Sequence, residues 1–381
     1  MLQIAAEARK QGHEVYTCCP KSRSNLKKKV DHQILIGNIF SRNLHIKLAK
    51  LTGYNGCFSI LSTWNYLRKI KKISPDLIHL HNLHNCYINL PMLFKFIKKY
   101  NIRVIWTLHD CWSFTGQCPY FTLAKCEKWK IGCYECQSYR EYPQSRVDKT
   151  QKMWKLKKKW FTGINNMTIV TPSQWLADLV KQSFLKDYPV QVINNGIDLE
   201  TFKPISSDFR QRYNISESQY VLLGVAFGWG KRKGLDVFVE LSKRLDDKRY
   251  RIVLVGTDDS VDKVLPKNII SIHRTQNQNE LAEIYSAADL FVNPTREENY
   301  PTVNMESIAC GTPVLTFRTG GSSEILDDKT GYVVDADDID DLEKQIVCIC
   351  TKQVFSEDDC LERAMKFANN IKFQEYINLY K

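Results

Sequence analysis

The 381-residue chain lacks any uninterrupted apolar run approaching the roughly 18 residues that a membrane-spanning helix requires. A helical integral membrane protein is therefore excluded. Its first residues, MLQIAAEARKQGHEV, have neither the cationic start nor the apolar stretch of a secretory leader, so the protein is expected in the cytoplasm. The chain also lacks a helix-turn-helix pattern, an RNA-binding aromatic signature and zinc-finger spacing, which leaves nucleic acid out of the expected partners. Thirteen cysteines, an odd number without a leader, point to reduced thiols rather than a disulfide framework.

Acidic residues are scarce in one half only. Residues 1–190 hold 31 Lys+Arg against 11 Asp+Glu, a net +20, while the remainder nets −8. The basic residues gather in four runs, at 21–29, 67–72, 95–99 and 152–160, the last carrying Trp154 and Trp160. Such runs are either solvated helix faces or a surface meeting polyphosphate or anionic lipid, and the second reading makes a peripheral position on the inner face of a membrane an expectation. The length suits about two domains of ordinary size, each able to bury a full core.

The stretch from Thr295 to Leu315, TREENYPTVNMESIACGTPVL, organises the rest. The run before it, DLFVNPT, reads as a buried strand, and Glu298 falls on the loop at the strand's carboxyl end, where open α/β sheets bind ligands. After the Asn299-Tyr300-Pro301 turn, a helix starting near Thr302 and Val303 turns its free N–H groups and dipole toward the same crevice, a setting suited to phosphate. On that helix Glu306 can accept two ribose hydroxyls, and Glu298 can orient a sugar ring. Together these residues point to a nucleotide-sugar.

The other segments frame this site. The opening residues read as an amphipathic helix ended by Gly12, followed by a strand at 13–19; a doubly wound domain ordinarily places a strand and a glycine-rich turn before such a helix, and neither is present. DLIHLH (76–81) and IRVIWTLHD (102–110) are strands with histidines at their carboxyl ends, each preceded by a basic amphipathic helix, and that alternation indicates a parallel sheet. Cys118, Cys126, Cys133 and Cys136 then follow at spacings that permit a structural four-thiolate zinc site in a segment with little other core. MTIVTPS and VQVINNGID are further strands, with Ser173 as a helix cap. From Tyr220 onward a regular strand–helix series describes a second doubly wound domain, whose first loop, Gly228 to Gly234, carries Lys231, Arg232 and Lys233.

The Glu298–Glu306 spacing, the Ala309-Cys310-Gly311-Thr312-Pro313-Val314 run and Gly320-Gly321 with Glu324 resemble the retaining glycosyltransferases of family 4. The HD-x-W…C-x-x-W…C-x-x-C stretch is similar to the subset that builds surface polysaccharide of the colanic-acid type. The resemblance implies an α/β fold of two Rossmann-like domains facing a cleft, the glycosyltransferase B-type architecture, without its first strand. The acceptor-side domain is expected at 1–190 plus a returning helix at about 368–381, and the donor-binding domain at 191–367. It implies a UDP- or GDP-sugar donor, a saccharide or lipid-linked saccharide acceptor, and catalysis that requires no cofactor. By the same resemblance His109 touches the transferred sugar and Lys233 the donor phosphates. The family's phosphate-binding arginine falls on Gly228, so Arg232 is the expected substitute. His273 and Arg274 match the base-binding segment. The donor set is then Gly228, Arg232, Lys233, Glu298, Asn299, Tyr300, Thr302, Val303 and Glu306, with His109, Lys233 and Glu298 catalytic. The competing readings are a sugar-nucleotide epimerase or phosphorylase on the same architecture, or a basic zinc-containing nucleic-acid or membrane module with a degenerate catalytic domain.

Overall fold

The computed structural model describes residues 1–26 and 30–381, with Arg23 and Ser24 described by backbone alone. The Lys27–Lys29 part of the first basic run lies outside the described residues. The chain divides into two compact units, Met1–Ile193 with Phe373–Lys381, and Asn194–Lys372.

The first unit contains strands β1 (Thr17–Pro20), β2 (Gln33–Ile36), β3 (Leu77–Leu80), β4 (Arg103–Thr107), β5 (Met167–Thr171) and β6 (Val190–Val192). All pairings are parallel. Among the described residues they form two separate sheets, β1–β2 and β3–β4–β5–β6. Side-chain alternation along the strands builds two cores. Val104, Trp106 and Ile169 face the helices Ile60–Ile73, Leu90–Tyr100 and Thr150–Phe161, while Ile105 and Val170 face Ile4 and Ala8 of the opening helix and Tyr376 and Ile377 of the closing one. Local chemistry sets the helix ends. Asn89 accepts from the Met92 N–H at 3.1 Å and starts Leu90–Tyr100, and Asn101 in the left-handed conformation ends it. Ser173 caps Gln174–Lys181 in the same way, as expected.

The second unit contains β7 (Tyr220–Val225), β8 (Tyr250–Val255), β9 (Ile269–Ile272), β10 (Leu290–Asn293), β11 (Val314–Phe317) and β12 (Gly331–Val334). They form one parallel sheet in the order β12-β11-β10-β7-β8-β9. This is the doubly wound order whose direction reverses between β7 and β10. Val221, Leu223 and Phe291 enter the core on one face, and Leu222, Leu290 and Val292 the core on the other. Strands β2 and β12 and the helices Ile339–Lys352 and Glu357–Met365 were not among the elements expected from the sequence.

The unit boundaries fall later than 190/191 and 367/368, and the packing says why. Ile193 sits in the core of the first sheet. Ala368 bridges to Ile197 and the Asn369 N–H donates to the Ile197 carbonyl at 2.9 Å, which fastens the start of the closing helix to the second unit. Farther along the same helix, Arg103 donates to the carbonyls of Leu379 and Tyr380 at 2.5 and 3.1 Å, holding its end to the first unit.

Candidate functional site

The switch point between β7 and β10 is where the chain concentrates its charged groups in the second unit. β7 leads into the loop 226–234 and a short 3-10 turn, Lys231–Lys233, before the helix Leu235–Arg244. β10 leads into residues 294–301 and the helix Thr302–Ala309. Across these two loops the Lys233 ammonium meets the Glu298 carboxylate at 2.6 Å, both largely shielded from solvent. Glu298 also accepts from the Asn299 N–H at 3.1 Å. The close approach depends on two glycines. A Cβ at Gly234 would lie 2.5 Å from the Pro294 carbonyl, and one at Gly320 would lie 1.9 Å from the Glu298 carbonyl, and both residues have positive φ. Gly321 then donates to the Asn299 carbonyl at 2.7 Å.

Arg296, which the sequence reading passed over, braces the same loops. Its guanidinium forks onto Asp236 at 2.8 and 2.9 Å and reaches Asp337 at 2.6 Å, while its own N–H donates to the Arg232 carbonyl at 2.9 Å. Trp229 holds the glycine-rich loop to β8 by donating to the Val255 carbonyl at 3.0 Å and packing edge-on against Phe238. These anchors leave Gly228 with open space around it and Phe227 fully exposed. Arg232 donates to the Glu297 carbonyl at 3.4 Å, so it sits beside the Glu298 segment.

Glu306 lies on the helix Thr302–Ala309, where it accepts from the Tyr285 hydroxyl at 3.3 Å. Burial raises its carboxyl above the ordinary range, against the opposing hydrogen bonds of Thr302 and Tyr285. Two donor-set residues, Tyr300 and Val303, differ in kind from the rest. The Tyr300 side chain is packed into the core near Phe367, and its backbone carbonyl accepts from Asn195 at 3.1 Å. Tyr300 therefore shapes the loop through its backbone. Val303 likewise packs against that core. His273 is drawn to Asp262 at 2.6 Å, and that hydrogen bond raises its pKa. With Asp259 these two could offer a cation three ligand atoms, all exposed.

In the first unit the carboxyl ends of β3 and β4 bring His79, His81 and His109 together. His81 Nδ1 and His109 Nε2 are 3.1 Å apart, and His79 lies between the hydroxyls of Tyr380 and Thr107, each at 2.8 Å. Burial lowers all three, His109 to about 4, His79 to about 3 and His81 well below its usual value. At neutral pH they are uncharged imidazoles that bind hydroxyls by hydrogen bonding rather than by charge. Asp110 caps the turn Cys111–Ser113 through the Trp112 N–H at 2.9 Å and faces His84 at 3.7 Å. The partnership of His79 with Tyr380 spans almost the whole chain, so no local pattern could have shown it.

The four cysteines of the following segment line one cavity of about 250 Å³. The expectation of little other core there is corrected by three buried aromatics, Phe114, Phe121 and Trp129, stacked on one another, with Trp154 donating to the Trp129 carbonyl at 2.8 Å.

Two Rossmann-like units of parallel strands, the second with a strand switch point, define the architecture, and comparison with known proteins places it in a family. Residues 1–201 match Glycosyltransferase Family 4, and residues 219–352 match Glycosyl transferases group 1. The chain belongs to Glycosyltransferase Family 4. It is 24% identical over 318 residues to the Escherichia coli (strain K12) glycosyl transferase WcaC of colanic acid biosynthesis, covering 81% of this chain and 76% of that protein. A D-inositol 3-phosphate glycosyltransferase of Streptosporangium roseum is 31% identical over a shorter stretch, 40% of this chain and 39% of that one. Among solved structures, sucrose-phosphate synthase from Thermosynechococcus elongatus superposes with a TM-score of 0.74 at 18% identity, covering 99% of this chain and 91% of its own. Anabaena HepE in complex with UDP and glucose gives 0.68 at 13% identity, covering 100% and 94%. The fold is the glycosyltransferase B type.

Proposed function

We propose that the protein moves a sugar from a nucleoside diphosphate sugar to a saccharide acceptor, with retention of anomeric configuration, in the synthesis of a cell-surface polysaccharide. The observation that carries this reading is the Lys233–Glu298 pair at 2.6 Å on the β7–β10 switch point, a cation and a carboxylate placed where a diphosphate and its sugar meet. The bond between the sugar's anomeric carbon and the β-phosphate oxygen breaks as the acceptor hydroxyl attacks the same face, and the leaving phosphate takes the hydroxyl proton. Lys233, with Arg232 beside it and the N-terminus of the helix Thr302–Ala309, stabilises the charge growing on the diphosphate, which is electrostatic catalysis needing no metal. Glu298 holds sugar hydroxyls and Glu306 the ribose. His109, neutral and hydrogen-bonded to His81, is assigned to the transferred sugar by the family resemblance. The UDP and glucose carried by HepE support a uridine nucleotide as the first donor to try. Calorimetric titration with UDP, GDP and their sugars tests the reading; a folded protein that binds none of them overturns it.

A lipid-linked acceptor and an anionic membrane surface belong to the same reading, and one patch of the first unit favours them. The helices Ile39–Thr52 and Ile60–Ile73 meet through Ser41 and Ser62 at 3.3 Å and His45 and Ser59 at 2.8 Å. They expose Phe40 and Leu61, each 78% accessible, with Leu44, Ile60 and Trp64 close in sequence. No acidic residue occurs between Asp31 and Asp76, whereas Arg42, Lys47, Lys50, Arg68, Lys69, Lys71 and Lys72 do. Apolar side chains among unopposed cations fit an anionic bilayer surface, at about 1 kcal/mol per nearby basic residue. Among the described residues no helix is long and apolar enough to cross a membrane. Flotation with anionic and neutral vesicles separates the outcomes. Equal binding to both, or binding unaffected by Phe40→Ser with Leu61→Ser, removes this partner.

A further inference from the structure

Residues 114–149 contain little regular structure; among the described residues it is confined to the 3-10 turn Lys128–Lys130. The aromatic stack of Phe114, Phe121 and Trp129 holds one side of this segment. The other side is the cavity lined by Cys118, Cys126, Cys133 and Cys136. Apolar packing does not fill this side, and four thiols are an unusual lining for a space to be left to solvent.

Two of the thiols already accept a backbone amide. The Gly116 N–H donates to Cys133 Sγ at 3.2 Å, the Ser138 N–H donates to the Cys136 thiol, and the Cys136 N–H is held by Asp148 at 2.8 Å. Amides aimed at sulfur stabilise thiolate. Lys125, Cys133 and Glu135, beside or within the cysteine positions, all have positive φ without being glycine. Each such residue costs on the order of 1 kcal/mol, a cost that a tight metal-binding turn would offset. Lys157, wholly buried, lies next to this ring of thiols. Its ammonium donates to the carbonyls of Trp112 and Thr115 at 2.6 and 3.1 Å and sits over the Trp112 ring. Among the described residues it forms no ion pair with a carboxylate, and burial lowers its pKa to about 7. A divalent ion on four thiolates carries a net charge of −2, of which a neighbouring lysine ammonium would offset one unit.

We propose that Cys118, Cys126, Cys133 and Cys136 together bind one Zn²⁺ that closes this segment onto the helix Thr150–Phe161. Among the described residues no three of these sulfurs lie within 4.8 Å of one another. A tetrahedral Zn–S₄ centre with bonds of about 2.3 Å needs them about 3.8 Å apart. Rotation about χ1 swings a sulfur between staggered positions with the backbone in place, and the cavity is the space into which the four converge. Four S–H bonds give up their protons to the buffer as four Zn–S bonds form. All four positions are then filled by protein, so the ion is structural and leaves no site for substrate.

The test uses the full chain, purified under reducing conditions without a metal-affinity step. Metal analysis is expected to find one zinc per chain, and replacement by Co²⁺ to give the intense visible absorption of a tetrahedral thiolate complex. Cys126→Ser with Cys136→Ser is expected to lose the metal, whereas Cys348→Ser, in the helix Ile339–Lys352 of the second unit, keeps it. Should the double variant fail to fold, alkylation of the wild-type chain decides, because the four cysteines are expected to be protected together and to react together once a chelator is added. Three results overturn the proposal: a folded chain without metal whose unfolding temperature ignores both zinc and chelator, metal that survives the double variant, or a disulfide among the four in the reduced preparation.

Discussion

Glu306→Gln is expected to make the free protein more stable and its donor binding weaker, a pairing of effects that a merely structural glutamate would not produce. The carboxyl is raised above its ordinary range because burial disfavours the charged form more than the Thr302 and Tyr285 hydroxyls favour it. The sign follows from linkage. The folded state binds the Glu306 proton more readily than the unfolded state, so this residue costs stability at pH values above its folded pKa, and the cost is relieved as pH falls below the unfolded value. An amide of the same shape removes that cost at neutral pH. For the donor, two ribose hydroxyls on a carboxylate contribute roughly 1.5 to 3 kcal/mol each, against about 1 kcal/mol each on a neutral acceptor. Glu306→Gln should therefore weaken nucleotide binding by about 1 to 4 kcal/mol, on the order of 5- to 1,000-fold, and Glu306→Ala by more. Calorimetry with UDP and 2′-deoxy-UDP reads the interaction directly. The wild type should prefer the ribonucleotide, and both variants should lose most of that preference. Wild-type binding also weakens on acidification, starting at a higher pH than an ordinary glutamate would give. If the variant keeps the full preference for ribose, Glu306 does not hold the hydroxyls and the reasoning fails.

The remaining predictions concern the elements that shape the site. Gly320→Ala must move either the Glu298 carbonyl, 1.9 Å from the added carbon, or a backbone with φ of +55°; transferase activity should fall steeply, with a loss of more than about 1 kcal/mol in urea unfolding. Arg296→Lys cannot reproduce the fork onto Asp236 together with the reach to Asp337, and since those partners are half-exposed the cost should be only about 1 to 2 kcal/mol, seen as a lower Tm. His79 and His109 are held neutral by burial with folded pKa values of about 3 and 4. Stability should thus decline as pH falls from about 6.5 toward 4, where the unfolded chain binds protons that the folded chain refuses, and His79→Gln should flatten that decline in a Tm-versus-pH series.

The readable parts of the sequence were those whose cause is local. The β10 strand, the turn at 299–301 and the helix at 302 follow from a short apolar run, a proline and a return of helical spacing; the observed strand Leu290–Asn293 lies inside the expected one, and the helix Thr302–Ala309 starts where expected. Ser173 capped its helix because capping needs only the next three residues. β2 and β12 were missed, each being four residues long without a distinctive flanking pattern. Arg296, Trp229 and the His79–Tyr380 pair escaped for a different reason. Their partners lie on other strands and helices, Val255 on β8, Asp236 and Phe238 on the helix Leu235–Arg244 and Tyr380 on the closing helix, and a single chain without its fold gives no sign of which elements meet. Lys233 and Glu298, singled out separately, are 65 residues apart, and only the β7–β10 reversal brings them together.

That meeting has a chemical consequence. Lys233 already has a partner in Glu298, so under the proposed function an incoming phosphate would gain only the difference between the two attractions. A monoanion offers Lys233 little that the carboxylate does not, while a diphosphate offers more charge and a second point of attachment at Arg232 and the helix N-terminus. Exchange of partners therefore favours diphosphates over monophosphates. It also frees the Glu298 carboxylate for sugar hydroxyls at the moment the phosphate takes the lysine. In the proposed mechanism the same pair would couple recognition of the leaving group to orientation of the sugar, with neither partner left uncompensated before the donor binds.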